Sequence, residues 1–502
     1  MTDPGTGRNR PLIWLAIGLA LFVVSNGRWM VPIATWLAPV FLLRYVRAAH
    51  SWPHLLALFV LMVVATRVML YGIIPSLGAL TYILTVYYGL LWFVPYLIDR
   101  YLARPSHFAS TLIFPCASVA VEYVNTVLFG SWGAIPYSQV ENLPLLQLAS
   151  VTGMWGITFL ITWTASCVAF IWEELETGER RWRLSAAVAI TLAAVFLFGG
   201  LRLAFAPDGS ATTVVSFTAD EQLEVIRKVV DESSHASFAD LAKADRARYA
   251  GVLEEVYPDL FRRTIEAASP GVSVVMWPEE GMDVLEEMEP AFLDSAGVAA
   301  RQTGAYLLLA YRVLPMEDPT RGAENSATLV APDGSVRYKY LKTHPVPGVT
   351  EIPGDGELPL ENTPFGLIST AICYDMDFTG LIHQAGRAGV DLMLVPAWDW
   401  KAIDPLHARM AAVRAVENGF SMVRETGQGR SVAVDPFGRV RAEKDYFSTP
   451  DAVMVAHVPA QGVRTLYGYI GDLVAWICIA GMVGAAAIAT YSRGSGRRPD
   501  DP

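Results

Sequence analysis

Eight stretches of this 502-residue chain are apolar over about the ~20 residues that a helix needs to cross a bilayer. They lie near 11–26, 30–46, 54–75, 78–98, 108–128, 150–172, 184–205 and 466–491. A chain built this way has few options, because inside lipid every backbone polar group must be paired within the segment, as in a helix. The composition agrees: 53% of residues are hydrophobic and only 17% charged. That excludes intrinsic disorder, which requires low hydrophobicity. The first stretch has the size of a signal-peptide core, but no small-residue cleavage pattern follows it and another apolar stretch begins at once.

Between the seventh and eighth stretches the composition changes. Residues 208–464 carry 23 basic and 38 acidic residues, whereas the remainder carries 15 and 11. An apolar, slightly basic part therefore holds an acidic insert of ordinary domain size. The expected organisation is a helical bundle over 1–207, a folded domain over 208–464, a last span over 465–491 and a tail over 492–502. Only the ends, 1–10 and 492–502, read as irregular. No basic patch suggests nucleic acid as a partner.

Basic residues mark alternate boundaries of the apolar stretches: Arg8 and Arg10, Arg44 and Arg47, Arg100 and Arg104, Arg180, Arg181 and Arg183, then Arg493, Arg497 and Arg498. Opposite boundaries hold little beyond Arg28 and Arg202. Positive charge is retained in the cytoplasm, so both termini are expected there and 208–464 outside. Arg67 and Glu122 fall within spans, where a charge is expensive and should face the bundle interior or water.

The insert alternates short apolar runs with helical ones, the pattern of an α/β layered domain. Strands are predicted at 212–217, 272–276, 306–313, 326–330, 336–340, 367–373, 392–396, 421–424, 431–434 and 452–457. Asp333-Gly334 and Pro436-Phe437-Gly438 are the turn signals between paired strands. Helices are predicted at 239–268, 287–303 and 405–418. The chain has no HExxH helix, no GxSxG elbow, no Walker loop and no GxGxxG after a strand. His383 and His407 lack a second His one turn away, so no metal site and no cofactor are expected.

Cys116, Cys167 and Cys478 lie in apolar stretches, where Cys acts as a small hydrophobe. Cys373 is the one Cys of the insert. A lone thiol in an extracytoplasmic domain is either a reactive group or a buried structural one. It ends a predicted strand and is followed by Tyr374-Asp375. A second strand runs into Trp277-Pro278-Glu279-Glu280, where an acid beside Trp and Pro loses hydration and becomes a better base. A third runs into Lys342, with Pro345 and Pro347 fixing the chain beyond it. Each alone also fits a bland role: a solvated loop acid, a surface lysine, a packed thiol.

Taken together, Glu279, Lys342 and Cys373 each follow a strand, in that order. The set, with Trp277-Pro278-Glu279, Val346-Pro347 and Cys373-Tyr374-Asp375, resembles the nitrilase or carbon–nitrogen hydrolase superfamily over about 210–460. The resemblance implies an α-β-β-α sandwich, with Glu279 as general base, Lys342 as oxyanion stabiliser and Cys373 as nucleophile. Glu351, Tyr374 and Asp375 resemble its supporting positions. A sandwich inserted before a last span is similar to the apolipoprotein N-acyltransferase family. So is Trp132-Gly133-Ala134-Ile135-Pro136-Tyr137-Ser138-Gln139, where Trp132, Tyr137 and Gln139, with Trp398 further on, are implied substrate contacts. Trp132 and Tyr137 also suit interfacial anchors. The family's usual Lys-Trp pair after the first strand is missing here, and Pro396-Ala397-Trp398-Asp399-Trp400 departs from its usual Asn-Asp-Ala-Trp run.

The resemblance implies a bacterial inner-membrane enzyme. It would move an acyl chain from a phospholipid, through a Cys thioester, to the N-terminal amine of a diacylglyceryl-cysteine lipoprotein. A membrane-tethered amidase shares every one of these residues, and so does an acyltransferase with another amine acceptor; a non-enzymatic scaffold would not need them. The charge asymmetry generates its own test. In intact cells, His235→Cys is expected to react with an impermeant thiol reagent and Gly178→Cys is not. Equal labelling, or the reverse, overturns the orientation.

Overall fold

The computed structural model describes residues 10–48, 51–74, 78–103, 108–177, 182–207, 209–218, 220–233, 241–242, 244–315, 321–449 and 453–494. The chain separates into two compact units, 1–205 with 470–502, and 206–469.

The first unit is helical. Its helices are α1 (Arg10–Val23), α2 (Pro32–Ala48), α3 (Trp52–Met69), α4 (Ala79–Leu102), α5 (Ile113–Phe129), α6 (Met154–Thr177) and α7 (Trp182–Ala204). The last helix of the chain, Leu473–Gly494, completes it. By length and composition six of these can cross a membrane, namely α3 to α7 (α5 with the turn before it) and the last helix. α1 and α2 have 14 and 17 residues, about 21 and 26 Å at 1.5 Å per residue, short of the ~30 Å hydrocarbon core. Two expected spans start later than their apolar runs. Gly153 and Gly471 have φ of 65° and 56°, a left-handed turn that glycine adopts without penalty and a helix cannot contain. Helix structure reaches Arg10 and Gly494, inside the ends expected to be irregular; 1–9 and 495–502 lie outside the described residues.

Charged groups inside this unit meet polar, aromatic or oppositely charged neighbours. Glu122 is buried and accepts from Ile135 N at 2.9 Å and Thr158 Oγ1 at 2.6 Å. Arg67 is half-buried and lies over the Tyr71 ring. Arg47 donates twice to the buried Asp99, at 2.9 and 3.1 Å. Arg44 reaches Glu173 at 3.1 Å and lies 4.5 Å from the Trp14 ring centre. Trp155 donates to Asp472 at 2.6 Å, tying α6 to the start of the last helix.

The second unit contains two mixed sheets. The first is ordered β13-β1-β2-β4-β5-β6, with β3 on the end of β4. Its strands are β1 (Ala211–Ser216), β2 (Val274–Met276), β3 (Asp283–Leu285), β4 (Tyr306–Leu314), β5 (Glu324–Val330), β6 (Val336–Leu341) and β13 (Met454–Pro459). The second is β12-β11-β10-β9-β8-β7, made of β7 (Leu360–Thr363), β8 (Gly366–Thr370), β9 (Leu392–Ala397), β10 (Ser421–Thr426), β11 (Arg430–Val434) and β12 (Val440–Asp445). The centres are parallel: β1-β2-β4 in one, β8-β9-β10 in the other. Parallel strands are covered on both faces and read as continuous apolar runs, and every residue of β2, β9 and β10 is buried. The edge strand β13 alternates buried and exposed residues instead.

Helices cover the outer faces. α8 (Asp220–Glu232), α9 (Arg246–Ala267) and α10 (Glu289–Thr303) pack on the first sheet through Phe261, Trp277, Phe292 and Tyr311. α11 (Thr379–Ala388) packs on α12 (Leu406–Asn418), and α12 on β10 and β11. The last helix of the first unit is α13. The α-β-β-α expectation holds. The predicted turns are hairpins at Gly334 and Gly438, with φ of 85° and 79°. Three short strands, β3, β7 and β12, carry no clear sequence signal. The helix predicted at 239–268 is described as α9 with Leu241 and Ala242 before it; 239, 240 and 243 lie outside the described residues, as does 452.

The two sheets are linked by a buried polar connection. Ser216 of β1 donates to Glu425 Oε2 of β10 at 2.6 Å, and Lys444 of β12 reaches Glu425 Oε1 at 2.6 Å. A buried carboxylate that loses its cation is costly. Lys444→Met is therefore expected to destabilise the protein by about 3–5 kcal/mol in denaturant unfolding. Lys444→Met with Glu425→Gln should recover much of that loss. A single variant as stable as wild type would show that the connection carries no stability.

Candidate active site

The Trp277-Pro278 pair positions Glu279. The Trp277 indole is fully buried and donates to Thr264 Oγ1 at 3.0 Å, anchoring the end of β2 in the apolar core. The chain then turns, Glu280 takes φ of 50°, and Gly281 N donates to Pro278 O. Glu279 is left 2% exposed. Its Oε1 accepts from Lys342 Nζ at 2.5 Å and from Asn325 Nδ2 at 2.8 Å.

Lys342 follows β6, and its backbone is held by N–H donation to Asn325 O and acceptance from Gly354 N, both 2.9 Å. Burial works against the charge on Lys342, but Glu279 above all, then Cys373 and Glu351, holds its ammonium above the ordinary lysine value. Asn325, on β5, also donates to Glu351 Oε1 at 3.1 Å. Asn325 thus bridges the two acids. Nothing in the sequence marks it, because its role depends on the β5–β6 register, which sets Ser326 opposite Leu341 and so brings Asn325 beside Lys342.

Cys373 is not in a strand. The strand predicted to reach it stops at Thr370, and Cys373 opens a tight helical turn, Cys373–Asp377. The cause is Asp375. Its carboxylate accepts from Ile372 N at 3.2 Å, His344 N at 2.8 Å, Thr343 N at 3.3 Å and Tyr340 Oη at 2.8 Å. Such side-chain bonds compete with the sheet ladder. They also fasten the turn to the segment following Lys342. Cys373 has φ of 46°, a conformation that strains a residue with a Cβ. Its Sγ lies 3.6 Å from Trp398 O. Burial and the Glu279 charge push the thiol up, while His407 and Lys342 pull it back.

The remaining expected residues separate into two groups. Glu351 touches the site through Asn325. Tyr374 is 8% exposed, its ring edge-on to Phe378. Trp398 is half-buried beside the thiol, and its ring occupies the space that a Cβ on Gly427 would fill, 2.0 Å from Cε3. Trp132, Tyr137 and Gln139 belong to the helical unit. Trp132 is half-buried there. Tyr137 is buried and donates to Ser131 Oγ at 2.5 Å; Gln139 accepts from Trp36 Nε1 at 3.2 Å and donates to Pro32 O at 3.0 Å. Tyr137 and Gln139 hold that unit together with their polar atoms.

Sequence reading passed over a second charged group. His407, Asp377, Asp399 and Arg424 are all buried. Arg424 donates to both Asp399 oxygens at 2.8 Å, and His407 Nδ1 lies 2.7 Å from Asp399 Oδ1. Despite its burial, Asp399 is held below the ordinary carboxylate range by Arg424 and His407. Cys373, Asp399 and His407 bring three donor atoms within 4.8 Å of one another, but the guanidinium fork already supplies Asp399 with a cation.

The comparisons with known proteins match this architecture. The carbon–nitrogen hydrolase family model covers residues 212–467, and the apolipoprotein N-acyltransferase N-terminal domain model covers 11–167. The chain belongs to the apolipoprotein N-acyltransferase family. The apolipoprotein N-acyltransferase of Rhodopseudomonas palustris is 28% identical over 389 residues, 70% of this chain and 67% of that one. That of Geobacter metallireducens is 26% identical over 427 residues, 79% and 77% of the two chains. Among solved structures, an amidase from Nesterenkonia sp. aligns at 18% identity and a TM-score of 0.38, covering 51% of this chain and 94% of that one.

Glu280 yields a pH prediction. Burial first, then Glu279, Glu351 and Asp283, push it up to about 7 against the opposing charge of Arg312. A carboxyl raised on folding binds more protons in the folded state, so its ionisation weakens the fold as pH rises towards 7. Glu280→Gln should raise the melting temperature over wild type at pH 8 and leave it unchanged at pH 4. The gain should be modest, since 30% of the side chain meets solvent. A difference that is the same at both pH values refutes it.

Proposed function

We propose that this chain N-acylates lipoproteins at the membrane, using Glu279, Lys342 and Cys373 in the second unit. The observation that carries the assignment is the Glu279–Lys342 contact of 2.5 Å, with 3% of each side chain exposed, in electrostatic reach of a buried, strained thiol. A base, a cation and a nucleophile shielded from water are what acyl transfer through a thioester requires.

Glu279 takes the Cys373 proton and the thiolate attacks an acyl ester of a phospholipid. Protonating Glu279 frees Lys342 from its partner, and its ammonium then faces the oxyanion of the tetrahedral intermediate. The C–O bond breaks, Glu279 returns the proton to the leaving alkoxide, and a lysophospholipid departs. The acyl group stays on Cys373 as a thioester. The N-terminal amine of a diacylglyceryl-cysteine lipoprotein attacks it, the C–S bond breaks, and Glu279 passes the proton it takes from the amine to the departing thiolate, restoring the thiol. Glu351 and Asn325 keep Glu279 in place, and Asp375 keeps the turn of Cys373 against Lys342. Trp398 borders the thiol. Trp132, Tyr137 and Gln139 are the helical unit's contribution to substrate binding. The second unit faces the outside of a bacterial inner membrane, between spans in 1–207 and 465–491, with both termini cytoplasmic. There both lipid substrates are available in one leaflet.

Incubation with phospholipid alone should leave a stable, hydroxylamine-labile acyl group on Cys373, and a diacylated N-terminal-cysteine peptide should discharge it into an amide. Cys373→Ala, Glu279→Gln and Lys342→Met should each abolish turnover, with losses of at least ~100-fold for the oxyanion donor. Cys116→Ala, Cys167→Ala and Cys478→Ala should leave it largely intact. A thioester that decays to free fatty acid at one rate, with or without peptide, makes the protein a hydrolase. Activity in Cys373→Ala removes the nucleophile.

A further inference from the structure

His407 takes no part in the steps above, yet it is a buried charged group beside the thiol. It lies near the start of α12, 3% exposed. A ring nitrogen of His407, an oxygen of Asp399 and Cys373 Sγ all fall within 4.8 Å of one another. The groups facing the ring come from every element around it. Asp377, from the Cys373 turn, places Oδ2 3.5 Å from Nε2. Asp399, after β9, places Oδ1 2.7 Å from Nδ1. Arg424, on β10, places Nη2 3.0 Å from Nδ1. Glu279 and Lys342 act on the thiol as well.

The charges decide the state of the ring. Asp399 has the Arg424 fork, so one of the two carboxylates is already balanced. Asp377 is fully buried, and His407 is its ion-pair partner among the described residues. A buried carboxylate without a cation is costly, so the imidazole keeps its proton. In line with this, burial and the nearby Arg424 disfavour its charge, but Asp377 and Asp399 hold it well above the ordinary histidine value.

The thiolate needs such a neighbour. A buried sulfur anion is disfavoured unless a positive group lies close, and Lys342 is engaged first by Glu279 and then by the acyl oxyanion. We propose that His407, fixed as an imidazolium between Asp377 and Asp399, is the positioning residue that balances the Cys373 thiolate, leaving Lys342 to the oxyanion. The inference rests on the reading of Cys373 as the acyl-carrying thiol.

The test follows iodoacetamide alkylation of Cys373, resolved by peptide mass spectrometry, against pH in the full-length protein. Wild type is compared with His407→Gln and His407→Asn, each of which keeps one of the ring's hydrogen-bonding positions without the charge. Loss of a neighbouring cation should move the inflection up by about one pH unit and slow alkylation about tenfold at pH 7. Turnover should fall in kcat, with KM for phospholipid little changed. A merely structural His407 would lower activity without moving the alkylation profile. Profiles that coincide with wild type, in a variant that keeps the wild-type melting temperature, overturn the proposal. If neither variant folds, histidine-selective 15N labelling of the wild type decides: a His407 ring protonated on both nitrogens at pH 7 supports the charged state, and a neutral tautomer there overturns it. A thioester on Cys373 with an unshifted profile removes His407 and keeps the nucleophile. A shifted profile without any thioester removes the lipid reading and keeps the role of His407.

Discussion

The pairing of Lys342 with Glu279 is the constraint around which the second unit is arranged. Two opposite charges with 3% of each side chain exposed have given up most of their hydration, and their attraction offsets that loss only when geometry and further hydrogen bonds are good. The second bond to Glu279 comes from Asn325, and the backbone of Asn325 in turn holds Lys342. β2 delivers the acid, β5 the amide and β6 the lysine. The order of the first sheet, with β4 between β2 and β5, is what lets three separate segments converge on one carboxylate.

Cys373 arrives from the other sheet, and Asp375 makes that arrival specific. One carboxylate gathers donors from Ile372 on its own turn and from Tyr340, Thr343 and His344 on the lysine segment. His344 also stacks on Phe378, ring centres 3.5 Å apart. The strained backbone of Cys373 is therefore held from both sides, as strain persists only where the surroundings over-determine it.

Much of this was legible in sequence because it is local. Glu279 and Cys373 each follow a recognisable apolar run, Lys342 follows a tyrosine-bearing strand, and β2 and most of β9 read as unbroken Val, Leu and Met. What was not legible depends on pairing across distance. Asn325 looks like any strand asparagine until the register sets it beside Lys342. His407 looks like an isolated helix histidine until β9, β10 and the Cys373 turn surround it with Asp399, Arg424 and Asp377. In the helical unit, Arg44 and Arg47 read as boundary charges, yet they lie on α2 against Glu173 and Asp99, partners more than fifty residues away. The strand before Cys373 ends three residues earlier than its apolar run predicts, because alternation and apolarity do not register a side chain such as Asp375 that captures the backbone beside it.

The missing side chain at Gly427 has a consequence for how freely this site can vary. A Cβ there would sit 2.0 Å from the Trp398 ring, so every other amino acid displaces the indole. The carbonyl of the same tryptophan lies 3.6 Å from Cys373 Sγ. Position 427 is thus a steric lever on the thiol, able to disturb it without altering any charged or reactive group. Any redesign of the surroundings of Cys373 has to leave this residue alone.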